Sequence, residues 1–253
     1  MAITLRDKEK DFGPIEHFTP FVELASIKNK VRCFDPKSLS EFIYPQNRFS
    51  KLFFSKCPYA VELLKDPKER RLTTNIFSIL DSVVFYEKLP DDAVMTTYVK
   101  VIGLIGNNER TFRFIRKEYI EPSPNLEKYK VIVPKSNGSG ALGETLSTPL
   151  IGEPLIGYTQ SFIGIGSFDT EAEAGACLKY IKSKFARVML GILKVTQDNP
   201  KNTWRYVPWQ DFSSSSDIDW TQSIPNIDQQ LYRKYGLNEE EIAFIESNVK
   251  EMD

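Results

Sequence analysis

The stretch Thr97–Tyr119, TYVKVIGLIGNNERTFRFIRKEY, decides the fold class. Two runs of β-branched and aromatic residues, Thr97–Ile105 and Thr111–Tyr119, flank Gly106-Asn107-Asn108, and this combination predicts a β-hairpin. Further strands are expected at Val83–Lys88 and at Val131–Val133, the latter ended by Pro134. Downstream the period changes. Thr170 with Glu173 is a capping-box signature. Ala174, Cys177, Leu178, Ile181, Phe185, Val188, Met189 and Ile192 then fall on one face of a single long helix over 170–193. A proline-first, glycine-after pattern marks a shorter helix from Pro225 to Gly236, and Asn238 with Glu241 opens a last one carrying Ile242, Ile245 and Val249. Near the start, Ile15–Val31 reads as a helix broken by Phe34-Asp35-Pro36. Ser38–Phe54 and Gly138–Pro154 read as loop-bearing segments. The expected class is therefore α+β: small antiparallel β-sheets with loops packed on a long helix, plus a C-terminal helical tail. The four serines Ser213–Ser216 mark the expected boundary before that tail.

With 253 residues, 41% of them hydrophobic, the chain can bury a core without disulfides or metals. The apolar runs are shorter than the roughly 18 to 20 residues that cross a bilayer. Met1–Asp11 mixes Arg6, Lys8 and Lys10 with acids instead of opening a signal segment, so a cytoplasmic location and no membrane partner are expected. Cys33, Cys57 and Cys177 are odd in number and far apart, which predicts reduced thiols without a zinc site. The one histidine, His17, leaves little room for histidine-based catalysis or two-histidine metal sites.

Net charge is −1, but it is unevenly spread. Six acids against Lys250 make Gly236–Asp253 net −5, so the residues before it carry +4. Arg110–Lys135 holds seven bases and three acids, a local basic stretch.

Three motifs suggest chemistry. Phe162-Ile163-Gly164-Ile165-Gly166 has the F-x-G-x-G form of a methyltransferase cofactor loop, yet its partner motif would have to be Asp198-Asn199-Pro200-Lys201, which lacks the second proline and the aromatic ring that hold a flipped adenine. The plain reading is a glycine-containing strand that leads into the Thr170-capped helix. Pro90-Asp91 begins a magnesium-nuclease pattern, but no Asp/Glu-x-Lys follows it on a strand; Asp35-Pro36-Lys37 and Asp66-Pro67-Lys68 have the spacing with proline in the middle. Lys135-Ser136-Asn137-Gly138-Ser139-Gly140 has no Gly-Lys-Ser/Thr ending for nucleotide hydrolysis, although a polar loop opened by lysine suits a DNA phosphate or base edge.

From about Ser38 to Met252 a series of blocks follows in order: Ser38-Leu39-Ser40-Glu41-Phe42-Ile43, Thr74-Asn75, Lys130-Val131-Ile132-Val133-Pro134-Lys135, Gly152-Glu153-Pro154, Gly166-Ser167-Phe168-Asp169-Thr170-Glu171, Tyr180–Phe185, Thr196-Gln197-Asp198, Val207–Phe212, Asp219-Trp220, Leu231–Leu237 and Glu240–Ile245. In order and spacing these resemble the C-terminal specificity region of class II N6-adenine DNA methyltransferases and fused restriction enzymes, the TaqI-like group. Gln46–Arg71 departs from that pattern and is enlarged.

The chain is expected to divide into a helical linker over 1–37, a DNA target-recognition domain over 38–212 with its recognition loops, where the resemblance begins, and a helical tail over 213–253. The resemblance implies double-stranded DNA and a methyltransferase or endonuclease catalytic domain as partners. That catalytic domain would precede residue 1 and bring S-adenosylmethionine, with magnesium in a nuclease version; no cofactor and no catalytic residue is expected in this chain. Arg110, Arg113, Arg116, Lys117 and Lys135 are the expected phosphate contacts. Asn47, Arg48, Asn75, Ser136 and Asn137 are the expected readers of base edges. Two alternatives stand beside this reading: a complete but divergent restriction endonuclease, and a protein-interaction subunit that uses the acidic tail and Trp204, Trp209 and Trp220.

Overall fold

A computed structural model describes residues 19–91 and 93–252. His17 and the first residues of the helix expected at Ile15–Val31 lie outside the described residues. The elements run α1 (Val22–Arg32), β1 (Ile43–Tyr44), α2 (Lys51–Lys56), α3 (Pro58–Val61), α4 (Ile76–Leu80), β2 (Tyr98–Ile105), β3 (Glu109–Arg116), β4 (Tyr129–Pro134), β5 (Leu150–Gly152), β6 (Ile156–Tyr158), β7 (Phe162–Phe168), α5 (Glu171–Lys182), α6 (Lys184–Leu190), α7 (Ile224–Lys234) and α8 (Glu239–Asn248).

The fold is α+β, with two small sheets. One has the order β1-β7-β4-β5 and is antiparallel throughout; the other has the order β3-β2-β6. β2 and β3 form the expected hairpin, pairing from Tyr98 with Arg116 to Ile105 with Glu109, and Asn108 takes a left-handed φ of 64° in its turn. β6 runs parallel to β2, so the sheets are not purely antiparallel as expected. A sequence pattern shows which residues pair well on a pleat, and it does not set the direction of a partner from a distant segment. Two other expectations are corrected. Val83–Lys88 makes only isolated bridges, Asp81 with Phe85 and Tyr86 with Phe114, and Pro90 follows close behind. Gly138–Pro154 is not all loop, since β5 inside it pairs with β4.

Packing follows three apolar clusters. Val99, Val101 and Ile115 of the hairpin pack with Phe49, Phe53, Phe77 and Phe85 into one core. Val131, Val133, Ile163 and Ile165 of the larger sheet pack with Leu24, Ile27 and Val31 of α1, with Tyr180 and Phe185, and with Ile227, Leu231 and Ile245 near the C-terminal end. Ile102, Ile132, Tyr158 and Phe162 form a third cluster that joins the two sheets. One core thus runs through all three segments expected from the sequence. The serine run is tied into it: the Trp220 indole donates to Asp211 O (2.8 Å) and to the Ser216 hydroxyl (3.1 Å). Trp204 and Trp220 are core residues and Trp209 stacks on Phe42 at 3.9 Å, so the tryptophans do not form the exposed interface considered above.

The long helix expected over 170–193 is two helices. The capping box at Thr170 and Glu173 opens α5 as expected, but the chain turns extended at Ser183 (ψ 150°). The Ser183 hydroxyl accepts from Ala186 N and caps α6. The buried Asp228 carboxylate of α7 accepts from Lys184 N (3.0 Å) and Phe185 N (2.9 Å), so the N–H groups that a helix start leaves free are satisfied from another helix. The apolar periodicity runs straight across this break because both helices press the same face into one core.

Burial pushes the Asp228 carboxyl up to about 6, against the two N–H donors that favour its charged form. A folded-state pKa above the unfolded value of about 3.9 means that the native state holds the extra proton between these two values. The contribution of Asp228 to stability is therefore largest below about pH 4 and declines as pH rises through 6. In Asp228→Asn this component is absent. The stability deficit of the variant relative to the native chain should grow by roughly 2 kcal/mol between pH 7 and pH 4.5. Paired urea titrations at the two pH values check this, and a deficit that stays constant or shrinks on acidification contradicts it.

A candidate nucleic-acid interface between the sheets

The end of β4, the start of β7 and the tip of the β2–β3 hairpin surround an open cleft of about 630 Å³. The hairpin contributes Leu104, Asn108 and Arg110; Pro134 ends β4 and Lys135 and Ser136 follow it; Gln160 and Ser161 lead into β7, which Phe162 opens; Thr74, Ser147 and Asp198 complete the wall. Phe162 belongs to the cluster that joins the sheets, so the packing of the sheets fixes the floor of the cleft.

The cleft brings together three of the ten residues singled out from the sequence. The Arg110 guanidinium donates to Thr148 O (2.7 Å) and Ser147 O (2.9 Å) and lies 5.7 Å from the Phe162 ring centre, and burial pushes its pKa down. It holds the 147–148 loop against the hairpin as much as it faces solvent. Lys135 projects a half-buried side chain with no ion-pair or hydrogen-bond partner among the described residues. Ser136 is exposed and its hydroxyl is likewise unpartnered. Asn75 is exposed next to Thr74 on the rim, where it accepts from the Thr73 hydroxyl (3.0 Å).

Three candidates are structural instead. Asn47 is 4% exposed; its side-chain oxygen accepts from Tyr158 N (2.8 Å) and its amide donates to the Ser123 hydroxyl, which closes the 47 turn on β6. Arg113, 6% exposed, donates to Asp81 (2.8 Å) and Glu87 (3.1 Å), and this pairing holds its pKa up. Asn137, 3% exposed, donates to Thr145 O (2.8 Å) and accepts from Ser147 N, bridging the glycine-rich loop. Each side chain is buried and held by internal partners, from distant segments for Asn47 and Arg113 and from within its own loop for Asn137, and cannot reach a base edge or a phosphate without disrupting them.

The remaining three lie elsewhere. Arg116 and Lys117 line a second open groove, of about 1060 Å³, near Pro122, Pro124 and Leu126. There they pair with Glu118 (3.8 Å) and Glu127 (2.5 Å). Arg48 is exposed and 3.6 Å from Glu121. The basic stretch 110–135 is thus largely neutralised from within. Lys128 pairs with Asp169, and fully buried Lys130 donates to the carbonyls of Asn125 (2.9 Å), Leu126 (3.2 Å) and Glu153 (2.9 Å). The second groove is larger, but its charges are paired. In the cleft between the sheets, Thr74, Asn108, Lys135, Ser136, Gln160 and Asp198 have side chains without a partner among the described residues.

Six polar residues of this cleft were not among the sequence candidates: Thr74, Asn108, Ser147, Gln160, Ser161 and Asp198. Thr74 and Asp198 fall in the blocks Thr74-Asn75 and Thr196-Gln197-Asp198 of the resemblance, Asn108 was read only as a hairpin-turn residue, and the others carried no signal. The F-x-G-x-G glycines have a packing explanation. A Cβ at Gly164 would sit 2.3 Å from the Tyr158 hydroxyl, and Gly166 has a φ of 78°. Among the described residues, no three His, Cys, Asp or Glu side chains gather as metal ligands, and no helix is long and apolar enough to cross a membrane. No protein-family model and no curated protein matches the sequence.

Proposed function

We propose that the chain is a DNA-contacting specificity module of a restriction-modification enzyme of the N6-adenine methyltransferase or endonuclease type, with the cleft between its two sheets as the reading surface. One observation carries this reading: Thr74, Asn108, Lys135, Ser136, Gln160 and Asp198 all line the cleft with side chains that have no hydrogen-bond or ion-pair partner among the described residues. Amides, hydroxyls and carboxylates are the groups that pair with base edges, and a lone ammonium suits a phosphate. The chemistry itself, S-adenosylmethionine-dependent methyl transfer or magnesium-dependent cleavage, belongs in this reading to a catalytic partner domain.

Because most arginines and lysines of the basic stretch are engaged internally, few phosphates are contacted and binding has a shallow salt dependence. A slope of log K on log salt of roughly −1 to −3 is expected, at about −0.9 per phosphate neutralised. Fluorescence anisotropy with random-sequence duplexes at low and moderate salt, followed by sequencing of the bound fraction, tests the proposal. The native chain should enrich one short motif. Lys135→Ala should weaken binding several-fold for all sequences alike and reduce the slope by about 1. No binding at low salt would sink the reading.

A further inference from the structure

Resting on that reading, we infer that Ser136 and Asp198 together form a base-selecting pair that accepts a base bearing an exocyclic amino group, adenine or cytosine, and rejects guanine and thymine. Ser136 and Asp198 face each other in an antiparallel bridge. The flanking hydrogen bonds run from Asn137 N to Gln197 O (2.8 Å) and from Asn199 N to Lys135 O (2.7 Å). That pattern is the non-hydrogen-bonded kind of pair, in which Cα atoms approach to about 4.5 Å and the side chains leave the pleat on the same face. Both residues line the cleft, and Ser147 and Gln160 share its wall.

The chemistry of this pair is asymmetric. The Asp198 carboxylate only accepts, and it has no side-chain partner among the described residues: the bond at this position is its backbone N–H to the Thr196 hydroxyl (3.3 Å). The Ser136 hydroxyl beside it can donate. Adenine presents an amino donor and the N7 acceptor side by side in the major groove, which matches acceptor plus donor, and cytosine presents its N4 amino group. Guanine presents two acceptors and thymine an acceptor beside a methyl group, so either one sets an oxygen against the carboxylate. The same negative charge repels phosphate, which leaves backbone contact to Lys135 and turns the far side of the cleft toward base edges. Asn199, which follows Asp198, is fully buried, and with its backbone N–H donated to the Lys135 carbonyl it holds the segment carrying Asp198 to the end of β4.

The test is selection and sequencing from random duplexes with the native chain, Asp198→Asn, Asp198→Ala and Ser136→Ala, each first shown to melt cooperatively like the native chain. The native motif should hold one position restricted to adenine or cytosine. In both Asp198 variants discrimination at that position alone should fall by about an order of magnitude, the other positions should stay, and affinity for non-specific duplex should rise. Ser136→Ala should weaken adenine preference more than cytosine preference. If the native chain selects a motif that the Asp198 variants reproduce unchanged, the inference is overturned and the DNA reading stands. If the native chain binds no duplex at low salt, both are overturned.

Discussion

Replacing Arg187 with methionine is expected to cost about 3–5 kcal/mol of folding stability, read as a lowered urea midpoint at unchanged slope. The residue is 2% exposed, and its guanidinium donates to four carbonyls: Lys182 O (2.9 Å), Gly143 O (3.0 Å), Glu144 O (3.4 Å) and Lys250 O. Three of these acceptors lie far away in the chain, so one side chain fastens α6 to the glycine-rich loop and to the segment after α8. Burial pushes its pKa down to about 10, which leaves it charged at neutral pH and makes each bond charge-assisted. Methionine fills much of the volume but removes the charged donor from these carbonyls, of which Gly143 O keeps the Lys250 N–H (3.2 Å), and that desolvation cost dominates. A loss below about 1 kcal/mol would mean that water replaces the guanidinium and that the clamp contributes little.

Gly164→Ala is the second large effect. The added methyl would meet the Tyr158 hydroxyl at 2.3 Å, Cζ of the same ring at 2.7 Å and the Asn125 amide nitrogen at 2.8 Å. Tyr158 is 1% exposed; its hydroxyl accepts from Asn125 (3.1 Å) and donates to Tyr44 O (3.3 Å), so the ring cannot swing aside without breaking the cluster that joins the sheets. Overpacking of this kind costs about 1–3 kcal/mol and more where both neighbours are held. Tyr158→Phe removes the nearest atom but not the ring, so the double variant should recover part of the loss, a coupling of about 1 kcal/mol in a double-mutant cycle. Strictly additive losses would show that the two residues do not meet as described. The same experiment bears on the glycine motif: a glycine required by packing predicts loss of stability at this position.

What could be read in the sequence were arrangements whose partners are close in the chain. The capping boxes at Thr170 with Glu173 and at Asn238 with Glu241, the Pro225 helix start and the β2–β3 hairpin each use neighbours within a few residues, and all are present. The break at Ser183 was hidden because the group that stabilises it, Asp228, comes from another helix. The parallel β6 and the short β5 were hidden for the same reason. Candidate residues failed in one direction. Arg113 and Asn137 have the chemistry of DNA contacts, but Asp81, Glu87 and Thr145 convert them into internal struts, and residue type alone cannot distinguish the two roles. Asp198 was missed because an acid looks out of place among candidate DNA contacts until its bridge to Ser136 is seen.

The shared core has a consequence for synthesis on the ribosome. The apolar faces of α5 and α6 are covered in part by Ile218, Ile227, Leu231, Ile245 and Val249, all translated later. At roughly 10 residues per second, the nascent chain carries these faces uncovered for several seconds before the closing helices emerge. During that interval it is a natural client for chaperones that bind exposed apolar helices, and slow codons after Leu190 would lengthen the exposure and lower the soluble yield.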